Sequence, residues 1–154
     1  MIEKRLVTNW FVETLAAASG KPVGRGRKPT DVDDPPYYLV YSIDTSVSGA
    51  PLADRSEQAS LVYQVTSVSG PDLDVAQSTA SQDQTEWMAD KARTAFLARD
   101  PSTGLWLRPF TVPGVSCMTR SLEIEWGGMP GGTPEQEAAI MTYVQRFRFG
   151  LTTV

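Results

Sequence analysis

QDQTEWMADKARTAFL, residues 82–97, is the stretch on which the reading of the fold turns. Met88, Ala89, Ala92, Ala95 and Phe96 recur at the three- and four-residue steps of one helix face, with Trp87 and Leu97 flanking them. Ser81 is a good N-cap, and Gln84, three residues on, completes a capping-box pattern. Asp83 and Glu86 precede Lys91, Arg93 and Arg99, the order that the helix dipole favours. Pro101 and Gly104 end the helix. Its three alanines let it lie close against a sheet, and nothing on its buried stripe carries chemistry.

Strands are therefore sought on either side. YYLVYSIDT (37–45) and SLVYQVTSV (60–68) have the β-branched and aromatic composition of strands and are expected to pair, through an arm at 46–59 too long for a tight hairpin. Downstream, LWLRPFTV (105–112) reads as a strand or an extended edge, because Pro109 cannot donate to a central ladder. CMTRSLEIEW (117–126) alternates, with Met118, Arg120, Leu122, Ile124 and Trp126 on one side and Thr119, Ser121, Glu123 and Glu125 on the other. TYVQRFRFGL (142–151) alternates too, Tyr143, Gln145, Phe147, Phe149 and Leu151 against Val144, Arg146 and Arg148. Glu123 and Glu125 opposite Arg146 and Arg148 would make a charge-matched antiparallel pair. Between these strands, Thr133, Pro134 and Gln136 suggest a capped helical turn.

At the N-terminus, Ile2, Leu6, Val7, Trp10, Phe11 and Leu15 share one helical arc, and Gly20 is placed to stop a helix over 2–18. Residues 21–36, rich in Gly, Pro and charge, read as a loop. The element order α-β-β-α-β-β predicts one α+β domain over 1–154, a mainly antiparallel sheet with two helices on one face and long loops at 21–36, 46–59 and 127–136.

The totals narrow the chemistry. With 154 residues, 41% of them hydrophobic, the chain can bury a core without disulfide or metal, and Cys117 is its only cysteine. A net charge of −4 gives no overall attraction to nucleic acid or anionic lipid, and leaves room for a local basic patch. The N-terminus lacks the uninterrupted apolar core of a signal peptide, and no window approaches the roughly 18 apolar residues of a spanning helix, so a soluble cytoplasmic protein is expected.

The absence of histidine removes the commonest general base and zinc ligand. Asp31, Asp33 and Asp34 read as a solvated acidic turn, since they lack the spacing of a calcium loop. GGMPGGTPE and GKPVGRGRK lack the arrangement of a phosphate-binding loop. Cys117 has no histidine to activate it, and Trp87, Trp106 and Trp126 are explained by packing. Lys21, Arg25, Arg27 and Lys28 read as a solvated cationic loop, which leaves Arg146 and Arg148 as the best candidates for a functional basic face. No catalytic residue, cofactor site or metal site is expected.

SLVYQVTSV followed by SQDQTEWMADKARTAFLAR, and then by RSLEIEW and YVQRFRFGL, resembles the tail terminator proteins of long-tailed phages, especially those of actinobacterial phages. The resemblance covers most of the chain in order of elements; the 21–36 loop and GGMPGGTPEQE are richer in Pro and Gly than the family's core pattern. It implies a non-enzymatic virion subunit, made in the host cytoplasm, forming a ring, typically a hexamer, at the head-proximal end of the tail tube. Such a ring stops tube polymerisation and joins the head connector. The implied partners are further copies of the chain, the tail tube protein and the connector protein; no membrane is involved, and DNA crosses the lumen without sequence-specific binding.

Loops 21–36, 46–59 and 127–133 are the expected contact regions, with Arg25, Arg27, Lys28, Arg55, Arg146 and Arg148 as candidate assembly contacts. The alternatives are another head-tail connector or minor tail protein, or a monomeric α+β domain binding a ligand or nucleic acid through Arg146 and Arg148. A hydrolase using Asp31 to Asp34 ranks third.

Overall fold

A computed structural model describes residues 1–32, 34–49, 56–71, 81–130 and 140–154. The chain runs α1 (Lys4–Ser19), β1 (Val23–Arg25), β2 (Tyr37–Ser48), β3 (Gln58–Ser69), α2 (Gln82–Leu97), β4 (Val115–Pro130) and β5 (Met141–Thr153). The five strands form one sheet in the order β1-β2-β3-β5-β4, antiparallel throughout except for the parallel β1–β2 pair. This is the expected α+β class, with β1 as an addition inside the stretch read as the 21–36 loop. Three residues are too few to leave a periodic signal. Gly24 is required there, since a Cβ would meet the Arg27 carbonyl oxygen at 1.9 Å.

Both helices lie on the same sheet face, which is the face carrying Tyr38, Tyr63, Gln145 and Arg120. The Tyr38 hydroxyl donates to the Met88 carbonyl at 2.6 Å, and Gln145 Nε2 donates to the Ala89 carbonyl at 3.1 Å. Thr8 Oγ1 and the Tyr63 hydroxyl share a hydrogen bond of 2.9 Å. Thr8, which lies outside the apolar arc of α1, is buried, while Leu6 from that arc is 39% exposed. A hydroxyl that finds a partner can occupy the interior. Between the layers, the Phe11 ring stacks on Phe96 with centroids 4.0 Å apart and on Tyr63 at 4.5 Å, and Phe149 meets it edge-on at 5.5 Å.

The reading of α2 holds: Met88, Ala89, Ala92, Ala95 and Phe96 are buried, joined by Thr85. Its cap is a relay. The Ser81 side chain accepts from the Gln84 backbone N–H at 3.3 Å, while the Gln84 side chain accepts from Ser69 Oγ, which in turn accepts the Ser81 N–H. Ser81→Ala is expected to lower stability by about 1 kcal/mol, readable in a urea melt. No loss would mean that the Ser69–Gln84 contact alone holds the helix start. At the other helix, Gly20 takes φ 69° and its N–H bonds the Ala16 carbonyl, ending α1 where expected.

Several expectations need correction. The loops read at 46–59 and 127–136 are shorter, because β2 continues to Ser48, β3 begins at Gln58 and β4 runs on to Pro130. Residues 105–112 are not a strand; one isolated bridge, Arg99 with Trp106, is their only ladder contact among the described residues. Nor does the alternation of 117–126 survive intact. Register shifts fall between Cys117 and Thr119, Leu122 and Ile124, and Trp126 and Met129. Each bulge moves the following residues to the opposite face, so Arg120 and Leu122 face the helices with Glu125, while Ile124 and Trp126 face away. The helical turn suggested at Thr133, Pro134 and Gln136 lies outside the described residues.

Candidate functional site

Among the described residues no helix covers the second face of the sheet. β5 places Val144, Arg146 and Arg148 there, beside Gln64 and Val62 of β3 and Ile124 of β4. Val62 and Val68 are buried on this face, whereas Trp126 is 44% exposed, so it opens toward β4. Arg146 and Arg148 thus stand together, as expected, but with partners of their own.

Arg148 pairs through Nε with Glu123 and donates from Nη1 to Ser60 Oγ at 2.6 Å. Bonding to the Glu123 carboxylate raises its pKa further. Arg146 donates to Gln64 Oε1 at 3.1 Å and lies 5.3 Å over the Trp126 ring. The matching of Glu125 with Arg146 does not occur. The bulge at Glu123 turns Glu125 to the helix face, where it accepts from Gln145 at 2.9 Å and pairs with Arg93 at 3.4 Å. Arg148 is thus tied through Nε and Nη1, and Arg146 through Nε and the Trp126 ring, so both side chains are braced against the sheet rather than free in solvent.

The remaining candidates are dispersed. Arg25 donates to Asn9 and, with Lys4 and Arg5, lines a shallow groove between α1 and the β1–β2 edge. Arg27 and Lys28 are exposed beyond it, and Arg55 and Asp33 lie outside the described residues. Among the described residues no three Asp, Glu or Cys side chains come together as a metal site, and no helix is long and apolar enough to cross a membrane.

Two sheet edges are open among the described residues. β1 covers β2 only at Tyr38 to Val40, so residues 42–48 have no partner on that side, and all of them are exposed. Ile43 and Val47 are 46% and 56% exposed there. At the opposite side β4 pairs only with β5. Its bulges interrupt the row of edge hydrogen-bonding groups, as edges commonly do to limit indiscriminate pairing.

Sequence reasoning also missed the environment of Arg120. This arginine is 7% exposed; Nη1 donates to the Phe96 carbonyl at 3.2 Å, and the guanidinium lies 5.2 Å from the Trp10 ring centre and 4.7 Å from that of Trp106. The only hint was an arginine at an inward position of an alternating strand. Trp106 is delivered by the turn at 100–105, where Gly104 at φ 72° donates to the Asp100 carbonyl and Asp100 donates to the Leu105 carbonyl.

The Asp100 carboxylate accepts from Ser102 Oγ, the Ser102 N–H and the Thr103 N–H, and these bonds hold its pKa below the ordinary 3.8. A depressed carboxylate pKa stabilises the turn above the ordinary value, and this contribution is lost as pH falls through the lowered value. An NMR titration should place the Asp100 midpoint below 3.8 and return it toward 3.8 in Ser102→Ala. An unshifted midpoint in the unaltered chain would remove this account of the turn.

No protein-family model matches the chain, and a search of curated proteins finds no match to it either.

Proposed function

We propose that the chain is a structural ring subunit of the phage tail terminator type, assembling at the head-proximal end of a tail tube, ending its polymerisation and offering the joining surface for the head. The observation that carries this reading is the pair of open edges. Along the order β1-β2-β3-β5-β4, β2 and β4 run in opposite directions. A copy placed head to tail would therefore bring its β4 antiparallel to residues 42–48 and continue the sheet across the boundary. Such a contact is heterologous: it closes into a ring when the rotation between copies divides a full turn. The resemblance of SLVYQVTSV, the α2 segment and the final hairpin to tail terminators supplies the biological setting.

The test is native mass across a concentration series, with negative-stain images of the most concentrated sample. A closed ring of about six subunits with a central hole is expected. A subunit interface on the order of 1,000 Å² can need a template to raise local concentration, so isolated tail tubes are added as a second arm. A strict monomer that also fails to bind tube ends would end the proposal and favour a monomeric binding domain.

A further inference from the structure

The guanidinium of Arg120 has two edges with different fates. Nη1 is spent on the Phe96 carbonyl, whereas Nε and Nη2, which share the side-on edge, have no hydrogen-bond partner and are shut from solvent. That edge is the fork that grips a carboxylate through two parallel hydrogen bonds. No carboxylate of the described residues pairs with Arg120. Burial raises the pKa of the neighbouring Cys117 thiol, and the bonding and charge of Arg120 act against that rise, but neither Nε nor Nη2 reaches a partner at hydrogen-bond distance. The surrounding tryptophans compensate the cation through their ring faces, and leave the two in-plane donors unmet.

A cleft of about 550 Å³ adjoins this arginine, walled by Leu105, Trp106, Pro109 and Phe110 on one side and by Val115 to Cys117 of β4 on the other. Leu105 is 69% exposed. Three properties thus meet in one place: an arginine fork with two unmet donors, apolar walls, and the beginning of a strand whose outer edge has no partner among the described residues. We propose that this cleft binds an extended segment of a partner protein, its Asp or Glu carboxylate taking Nε and Nη2 of Arg120 and a neighbouring apolar side chain resting on Leu105 and Phe110. Strand-edge recognition supplies backbone bonds, and the pocket supplies selectivity for the acid. Nε and Nη2 are shut from solvent, so the cleft wall has to yield to admit the carboxylate, and the Trp106 ring, 4.7 Å from the guanidinium, reports the change in tryptophan emission. The inference does not require ring formation, and in the proposed ring a neighbour's β2 would compete with this segment wherever both claim the outer edge of β4.

The full chain is titrated with acetyl-Leu-Glu-Leu-amide, with its Gln counterpart and with hexanoate, following emission. The acidic peptide should give a saturable change, and the Gln peptide should bind at least about tenfold more weakly, the scale of one charge-assisted bond. Arg120→Lys, which keeps the charge and lacks the fork, should weaken the acidic peptide about tenfold as well. Near-UV circular dichroism checks that this variant folds. If it does not, the acid-against-amide comparison in the unaltered chain decides. Equal binding of the two peptides, no binding at millimolar concentration, or binding of hexanoate alone would each overturn the proposal, the last by assigning the cleft to a free acid.

Discussion

Phe11→Ala is expected to lower the free energy of unfolding by about 4 kcal/mol, within the range for truncating a fully enclosed aromatic ring. Phe11 is 0% exposed and stands where both helices and the sheet meet, stacked on Phe96 of α2 and Tyr63 of β3 and edge-on to Phe149 of β5. Its removal deletes transfer energy and opens a cavity that three separate elements would have to move to fill. Rigid aromatic neighbours collapse poorly. The N-terminal end of α1 adds little to this packing: Glu3 at its N-cap makes no side-chain cap bond, and neither terminal turn carries a charge suited to the dipole. For a chain of this size the loss corresponds to a melting temperature lower by roughly 8–16 °C. Thermal and urea melts of the variant test it. A loss below about 1 kcal/mol would mean that α1 is not docked as described.

The second large effect concerns assembly. Ile43→Lys combined with Val47→Lys is expected to abolish the proposed ring while leaving the melting temperature of the subunit nearly unchanged. Both side chains are exposed on the open stretch of β2, so their replacement should alter stability by no more than about 0.5 kcal/mol each. Lysine on a strand edge is among the commonest obstacles to edge pairing, since the charge would be desolvated beneath a neighbouring strand. Native mass of the double variant, beside the unaltered chain, gives the answer. Rings that persist would direct attention from the sheet edges to the helices, and a variant that unfolds would show that these residues serve the subunit itself.

What was readable in the sequence follows from how regularly each signal repeats. α2 was legible to the individual side chain because five apolar positions and a cap agree on one helix, and β5 because its alternation runs unbroken from Tyr143 to Leu151. β4 was located but its faces were misassigned beyond Leu122. A bulge adds one residue without any composition change, and Glu123 looks like any other member of the alternating series. The parallel strand β1 was hidden by its brevity, and pairing at Val23 to Arg25 depends on where the distant Tyr38 to Val40 arrives. The candidate contact residues were legible only as charges. That Arg148 is tied to Glu123 and Ser60, and Arg146 to Gln64 and Trp126, depends on strand order, which local patterning does not carry. The Arg120 cage was invisible for the same reason, since Trp10, Phe96 and Trp106 reach it from three separate segments.

The sheet order also dictates when the molecule can fold. β5, the element that follows all others in sequence, is inserted between β3 and β4, and Gln64 meets Arg146 across 82 positions. Until β5 arrives, β3 and β4 have no shared ladder, and the rings of Phe147 and Phe149 are missing from the core. Closure therefore waits for the slow, non-local pairing that sets millisecond-to-second folding in sheet proteins. A chain interrupted before residue 141 presents an unfinished edge and an open core, and the paired sheet that the proposed ring would extend arises only once β5 is in place.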